Sequence, residues 1–214
     1  MKLIAFDLDG TLCNTLKDIT DSMNRSLESF GYATFTDEQI CAMIGKSITY
    51  MCQRAMPKGH ENDWAPVRDR YFEDYSRHLC DATRPYEGMV ELLDRLKEQG
   101  YLLAVVTNKP HAHAVSIIQT VFPHHGDHFA QVQGQANKFE LKPHPQSFEF
   151  VLNSLGVAKE DTVYVGDSDV DVFFAKNTGV RFVGVAYGFR GEEHLRAAGA
   201  TTVISTPLEL LDVL

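Results

Sequence analysis

The sequence predicts an α/β protein of the Rossmann-like class, a doubly wound parallel sheet carrying an all-helical insert. Three observations point there. Short apolar runs with turn residues behind them read as buried parallel strands. From residue 84 onward these runs alternate with helical patterns, as a doubly wound sheet requires. Between the first run and that alternation lie about 70 residues with helical periodicity and no convincing strand.

The first strand is Leu3 to Phe6. Residues 14 to 83 then form the insert, in which Leu16, Ile19, Met23, Leu27 and Phe30 recur at three- and four-residue spacing before Gly31. A second helix, Thr36 to Ile44, continues the pattern before Gly45; a third starts after Ser47, and a fourth runs from Trp64 to Leu79. Residues 1 to 13 and 84 to 214 make a split core, with strands Leu102 to Val106, Phe129 to Val132, Val163 to Val165, Phe182 to Val185 and Val203 to Ile204. The core helices are Glu87 to Gln99 closed by Gly100, His111 to Val121, Pro145 to Leu155 closed by Gly156, Ser168 to Thr178 closed by Gly179, and Pro207 to Val213.

Composition narrows the function. The 214 residues carry 20 Lys and Arg against 29 Asp and Glu, a net charge of −9. That balance repels nucleic-acid backbones and anionic membrane surfaces, so a phosphate-bearing ligand must be small and held locally. No apolar run approaches the roughly 20 residues of a membrane span, and MKLIAFDLDG lacks the pattern of a secretory signal, so a cytoplasmic protein is expected. Cys13, Cys41, Cys52 and Cys80 show neither CxxC nor zinc-ribbon spacing and read as unpaired thiols. The histidines of His124 to His128 and the His111/His113 pair lack the i,i+4 helical spacing of zinc enzymes and read as solvated.

Four polar clusters fall at the strand ends, where an open parallel sheet binds its ligand. They are Asp7-Leu8-Asp9-Gly10-Thr11, Thr107-Asn108-Lys109, Lys142 before Pro143, and Gly166-Asp167-Ser168-Asp169-Val170-Asp171. Each alone has a plain structural reading: a turn at Asp9-Gly10, a helix cap at Thr107 or Ser168, a solvated lysine, an acidic helix start. Together they place acids from two strands, a hydroxyl from a third and one lysine at one sheet edge. That inventory suits phosphoryl transfer, which needs charge neutralisation and an in-line nucleophile. Carboxylates alone would repel the substrate, so a hard divalent cation is implied, and oxygen ligands suit magnesium. No GxxxxGK[ST] loop is present, which leaves a carboxylate as the nucleophile.

FDLDGT (6 to 11), VVTNKP (105 to 110), LKPHP (141 to 145) and GDSDVD (166 to 171) resemble, in order, the four motifs of the haloacid dehalogenase superfamily of phosphatases. The steps from Asp7 to Thr107, Lys142 and Asp167 are 100, 35 and 25 residues. The insert resembles that family's C1 cap. The resemblance implies that Asp7 is the nucleophile and a magnesium ligand, and that Asp9 is general acid and then base while its carbonyl binds the metal. It implies that Gly10, Thr11, Thr107 and the Asn108 backbone N–H serve the phosphoryl group, and that Lys142 neutralises its charge and holds Asp7. Asp167 is then a direct metal ligand, with Asp171 supporting the metal from one helical turn on and Asp169 solvated.

An acid at position 9 points to a phosphate ester, because the carbon–halogen and phosphonate hydrolases of the family lack it. The hexose phosphomutases place a histidine twelve residues after the nucleophile, where this chain has Ile19. Asp18-Ile19, TNKP and KPHP resemble the phosphoglycolate phosphatase branch, which also holds pyrophosphatases and sugar-phosphate phosphatases. Lys46, after Gly45, either meets a substrate carboxylate or is a solvated lysine at a helix C-terminus. The alternative from another class is a catalytically silent phospho-ligand-binding protein. Oligomeric state is not legible.

Overall fold

The computed structural model describes residues 2–136 and 138–214. In chain order the elements are β1 (Leu3–Phe6), β2 (Cys13–Asn14), α1 (Leu16–Glu28), α2 (Asp37–Cys41), α3 (Ile48–Ala55), α4 (Trp64–Arg77), β3 (Arg84–Pro85), α5 (Met89–Glu98), β4 (Leu102–Pro110), α6 (His111–Val121), β5 (Phe129–Gln135), α7 (Gln146–Leu155), β6 (Thr162–Gly166), α8 (Asp169–Thr178), β7 (Arg181–Val185), α9 (Gly191–Ala198) and β8 (Val203–Ile204). The chain divides into two compact units, one of residues up to Asn14 with Pro85–Leu214 and the other of Thr15–Arg84.

The first unit is built on a six-stranded parallel sheet in the order β5-β4-β1-β6-β7-β8. All four residues of β1 are buried, as befits a strand covered on both faces. On one face Leu3, Ala5, Ala104, Val106 and Tyr164 pack against Phe148, Val151 and Leu152 of α7 and Phe174 of α8. β1 pairs β4 on one side and β6 on the other, with Phe6 level with both Val105 and Val165. The strand order reverses about β1, so the crevice beyond its carboxyl end is where such a sheet places its ligand.

In the second unit α1 buries Ile19, Met23 and Leu27 along one stripe. The Arg25 guanidinium reaches from α1 to Asp74 on α4 at 2.6 Å. Buried Asp18 accepts hydrogen bonds from the backbone N–H groups of Ala82 and Thr83, both 2.8 Å, and from the Thr83 hydroxyl at 2.7 Å. One carboxylate thereby ties the start of this unit to its end.

Several elements differ from the sequence reading. β4 continues through Thr107-Asn108-Lys109 to Pro110 rather than ending at Val106, and β5 reaches Gln135 rather than Val132, because polar residues extend both strands past their apolar runs. β2 and β3, two residues each, are too short to show a period. α2 stops at Cys41 rather than Ile44, because Met43 and Ile44 donate to the carbonyls three residues back and the chain turns at Gly45, whose φ is +108°. Pro207–Asp212 is a 3₁₀ helix and not an α-helix. α9 was not expected: its sequence GEEHLRAA contributes one fully buried anchor, Leu195, too little for a legible period. Among the described residues no helix is long and apolar enough to cross a membrane, and all four cysteines are free thiols.

Candidate active site

The reversal at β1 gathers the acidic clusters. Asp7 follows β1 directly, and its backbone N–H donates to the Val165 carbonyl at 2.9 Å, which seats it between the ends of β4 and β6. Asp167 follows β6, and Asp171 lies in the first turn of α8. Each offers an oxygen, and these lie within 4.8 Å of one another. No other group of three or more His, Cys, Asp or Glu among the described residues converges in this way, and His124 to His128 do not form one.

Lys142 supports the cluster from below. Its side chain is 2% exposed, with Nζ 3.0 Å from Asp7 Oδ1, 2.7 Å from Asp171 Oδ1 and 2.9 Å from the Tyr164 hydroxyl. Burial alone would strip its proton, but Asp171 and Asp7 more than offset that and hold the ammonium charged. The Tyr164 hydroxyl in turn donates to the Val106 carbonyl at 2.8 Å. Asp171 Oδ2 accepts from the Ser168 hydroxyl at 2.6 Å and backbone N–H at 3.1 Å, a capping box that fixes the start of α8.

Burial, opposed by Lys142 and reinforced by Asp171, pushes the Asp7 carboxyl up to about 6. The Thr107 hydroxyl is hydrogen-bonded to Asp7 and counters the rise. Asp167 is raised further, by burial and by the charges of Asp171 and Asp7. Of the three buried carboxylates only Asp7 and Asp171 contact the Lys142 ammonium, and the raised Asp7 and Asp167 carboxyls mark a site short of positive charge. An all-oxygen donor set with that deficit fits a hard divalent cation.

Asp9, two residues beyond Asp7, stands apart from this cluster. Its carboxylate takes Lys109 Nζ at 2.9 and 3.2 Å on its two oxygens. The backbone N–H groups of Gly10 and Thr11 close the turn, donating to the carbonyls of Cys13 at 2.9 Å and Leu8 at 3.3 Å. Gly10 has φ +82°, and a Cβ there would fall 2.3 Å from Asp167 Oδ2. Asp169 is half-buried and faces His194, 3.3 Å away, rather than the cluster. Lys46 is exposed in the second unit, its ammonium 4.5 Å from the Tyr50 ring centroid.

Four contributors escaped sequence reasoning. The Asn108 side chain, read only for its backbone, clamps the Lys142 backbone by accepting from its N–H at 2.7 Å and donating to its carbonyl at 3.2 Å. Tyr164 read as one more apolar strand residue. The loop after β7 supplies the Phe189 N–H to Asp167 Oδ2 at 2.8 Å, with Gly188 packed so closely that a Cβ would meet Asp167 Cβ at 2.3 Å. Lys109 was visible in TNKP, but nothing local paired it with Asp9.

Fold and site together define an α/β enzyme whose chemistry runs on carboxylates at the carboxyl edge of a parallel sheet. The model of the haloacid dehalogenase-like hydrolases matches residues 4–185, and the chain belongs to that family. It is 33% identical to a phosphoglycolate phosphatase of Haemophilus influenzae, over all of this chain and 98% of that protein. It is 32% identical to the pyrophosphatase PpaX of Halalkalibacterium halodurans, over 98% of this chain and 95% of that one. A crystal structure of a predicted phosphoglycolate phosphatase from Haemophilus somnus superimposes with a TM-score of 0.90 at 29% identity, covering all of this chain and 97% of that one. Hydrolases of this family that act on phosphate esters generally use a divalent metal, in keeping with the aspartate cluster.

Proposed function

We propose that the protein is a magnesium-dependent phosphomonoester hydrolase that works through an aspartyl-phosphate intermediate on a small phosphorylated metabolite, as the phosphoglycolate phosphatases do. The observation that carries this is the buried set Asp7, Asp167 and Asp171 on Lys142 at the sheet's switch point. Asp7 attacks phosphorus and takes up the phosphoryl group as the ester oxygen leaves. Asp9 gives that oxygen a proton, then takes one from the water that attacks the aspartyl phosphate, releasing orthophosphate and restoring Asp7. Thr107 and the Asn108 N–H bind phosphoryl oxygens, and Lys142 offsets their charge while holding Asp7 in line. Gly10 and buried Thr11, whose N–H groups are spent on the carbonyls of Cys13 and Leu8, shape the turn that presents Asp9 rather than bind the phosphoryl group. Asp7, the Asp9 carbonyl and Asp167, with Asp171 behind them, would hold magnesium, which would supply charge neutralisation when bound.

We assign the unit Thr15–Arg84 the part of the helical cap that the family resemblance implies, with Lys46 as its candidate substrate contact. The PpaX relative supports a second reading in which the leaving group is orthophosphate; a sugar-phosphate phosphatase is a third. A mutase is disfavoured by Ile19, and a silent phospho-ligand-binding protein by the complete acid and lysine set. Four free thiols suit a reducing cytoplasm. The test is phosphate release from a panel of phosphoglycolate, pyrophosphate, sugar phosphates and p-nitrophenyl phosphate with magnesium and with chelator. Magnesium-dependent release from at least one monoester is expected. Release from none, or release undiminished by exhaustive chelation, overturns the proposal.

A further inference from the structure

We propose that Lys109 is a positioning residue for Asp9, holding its carboxylate at the angle from which it exchanges a proton with the leaving oxygen. This rests on the role given to Asp9 above. The contact is two-pronged: one ammonium spans both carboxylate oxygens, at 2.9 and 3.2 Å, and so fixes the plane of the group as well as its location. The lysine side chain is 4% exposed against 15% for the aspartate. A strongly hydrated ammonium gives up its water only for a partner that replaces it, so Lys109 is built into the site rather than resting on it.

The placement follows from how β4 ends. β4 pairs with β1 as far as Val105 beside Phe6. Between Val106 and Pro110 its register with β5 shifts, an irregularity of the kind that re-aims side chains next to a site, so Thr107 and Lys109 lie on a bulged stretch beyond the regular pairing. Thr107 meets Asp7, and two residues on Lys109 meets Asp9, so matched i and i+2 positions on neighbouring segments form the two contacts. The lysine's backbone is held firmly as well. Gly134 of β5 packs so near that a Cβ there would lie 2.7 Å from the Lys109 carbonyl oxygen and 2.6 Å from His111 Cα. Behind it His113 is buried, and burial with the Lys109 charge lowers its imidazole to about 4, so that it adds no second cation near neutral pH.

A residue acting only through Asp9 should matter in proportion to the need for a proton. Lys109→Met is expected to lower kcat on phosphoglycolate or another alkyl phosphate by roughly 10- to 100-fold, on p-nitrophenyl phosphate by less than about 3-fold, and to leave KM within about 2-fold. Lys109→Arg, which keeps charge and donors, should recover most of the loss. In an Asp9→Asn background, adding Lys109→Met should cost less than about 2-fold, since its target is gone. If the Met variant does not fold, Lys109→Gln must show the same split. Equal losses on both esters, an effect carried in KM, or a loss that multiplies fully with Asp9→Asn would overturn the inference; a KM effect confined to acidic esters would mean that Lys109 binds the substrate itself. An unmutated protein that releases no phosphate from either ester overturns the phosphatase reading, a result distinct from each of these.

Discussion

Replacing Asp7 by asparagine should make the metal-free protein more stable while abolishing turnover. The folded environment raises the Asp7 carboxyl from an ordinary 3.8 to about 6, chiefly through burial. Between those values the folded protein keeps a proton that the unfolded chain has released, so stability falls as pH rises through that window. The difference is about two units at about 1.4 kcal/mol each, so ionised Asp7 costs the fold up to about 3 kcal/mol at pH 7 to 8. The amide has no charge to bury, and its removal also relieves Asp167, which Asp7 helps to raise. Lys142 loses one partner but keeps Asp171 at 2.7 Å and Tyr164 at 2.9 Å, which trims the gain toward about 1 kcal/mol at its lower end. The assay is urea unfolding of both proteins from pH 4 to 8 in chelator. Asp7→Asn should exceed the unmutated protein by about 1 to 3 kcal/mol at pH 7.5, with the gap closing toward pH 4. Magnesium should narrow the gap at pH 7.5 by binding the unmutated site more tightly. A variant less stable than its parent at pH 7.5, or a gap that ignores pH, would refute the reasoning.

The opposite substitution in the same cluster should act with the opposite sign. Lys142→Met leaves buried carboxylates facing one another without their ammonium, and urea unfolding at pH 7.5 should show a loss of about 3 to 5 kcal/mol; a loss under about 1 kcal/mol would mean the charges are relieved elsewhere. Gly10→Ala forces a Cβ to within 2.3 Å of Asp167 Oδ2 from a backbone at φ +82°, so the magnesium concentration for half-maximal activity should rise by roughly 10- to 100-fold; an unchanged activation curve would detach Asp167 from the metal. Lys46→Met should raise KM for phosphoglycolate by roughly tenfold or more if the lysine meets a second anion, while sparing p-nitrophenyl phosphate. Equal small losses on both would leave Lys46 a solvated side chain held over Tyr50.

What the sequence disclosed and what it hid divide along a physical line. Apolar runs such as Leu3–Phe6 announce a strand because burial is decided residue by residue, and Gly156 and Gly179 announce helix ends because each adopts the left-handed conformation at its C-cap. The acidic clusters are legible because each lies within a few residues of a strand's end. Strand order is not local in this sense. Only the sequence β5-β4-β1-β6 sets Asn108 against the Lys142 backbone, 34 positions away, and Lys109 against Asp9, 100 positions away. Tyr164 is obscure for a different reason: in a run of valines its ring reads as core, and the ring does lie against Phe148 and Phe174, while only the terminal hydroxyl touches the charged cluster. A side chain that serves both core and site carries no distinct sequence signal for the second role.

The same topology separates the chain's two lysine–aspartate pairings by task. Lys142 faces Asp7 and Asp171, where anionic charge is in excess, and its worth lies in compensation. Lys109 faces one carboxylate outside that cluster, where charge already balances, and its worth lies in geometry. Arginine keeps the charge and paired donors of the site but brings more bulk than lysine, so it ought to fail at position 142, buried beneath Asp171 and against the Phe174 ring, and be tolerated at 109, where two donors can still span both Asp9 oxygens. Were both positions to accept arginine equally, the division of labour between the two lysines would be wrong, and each would be supplying charge alone.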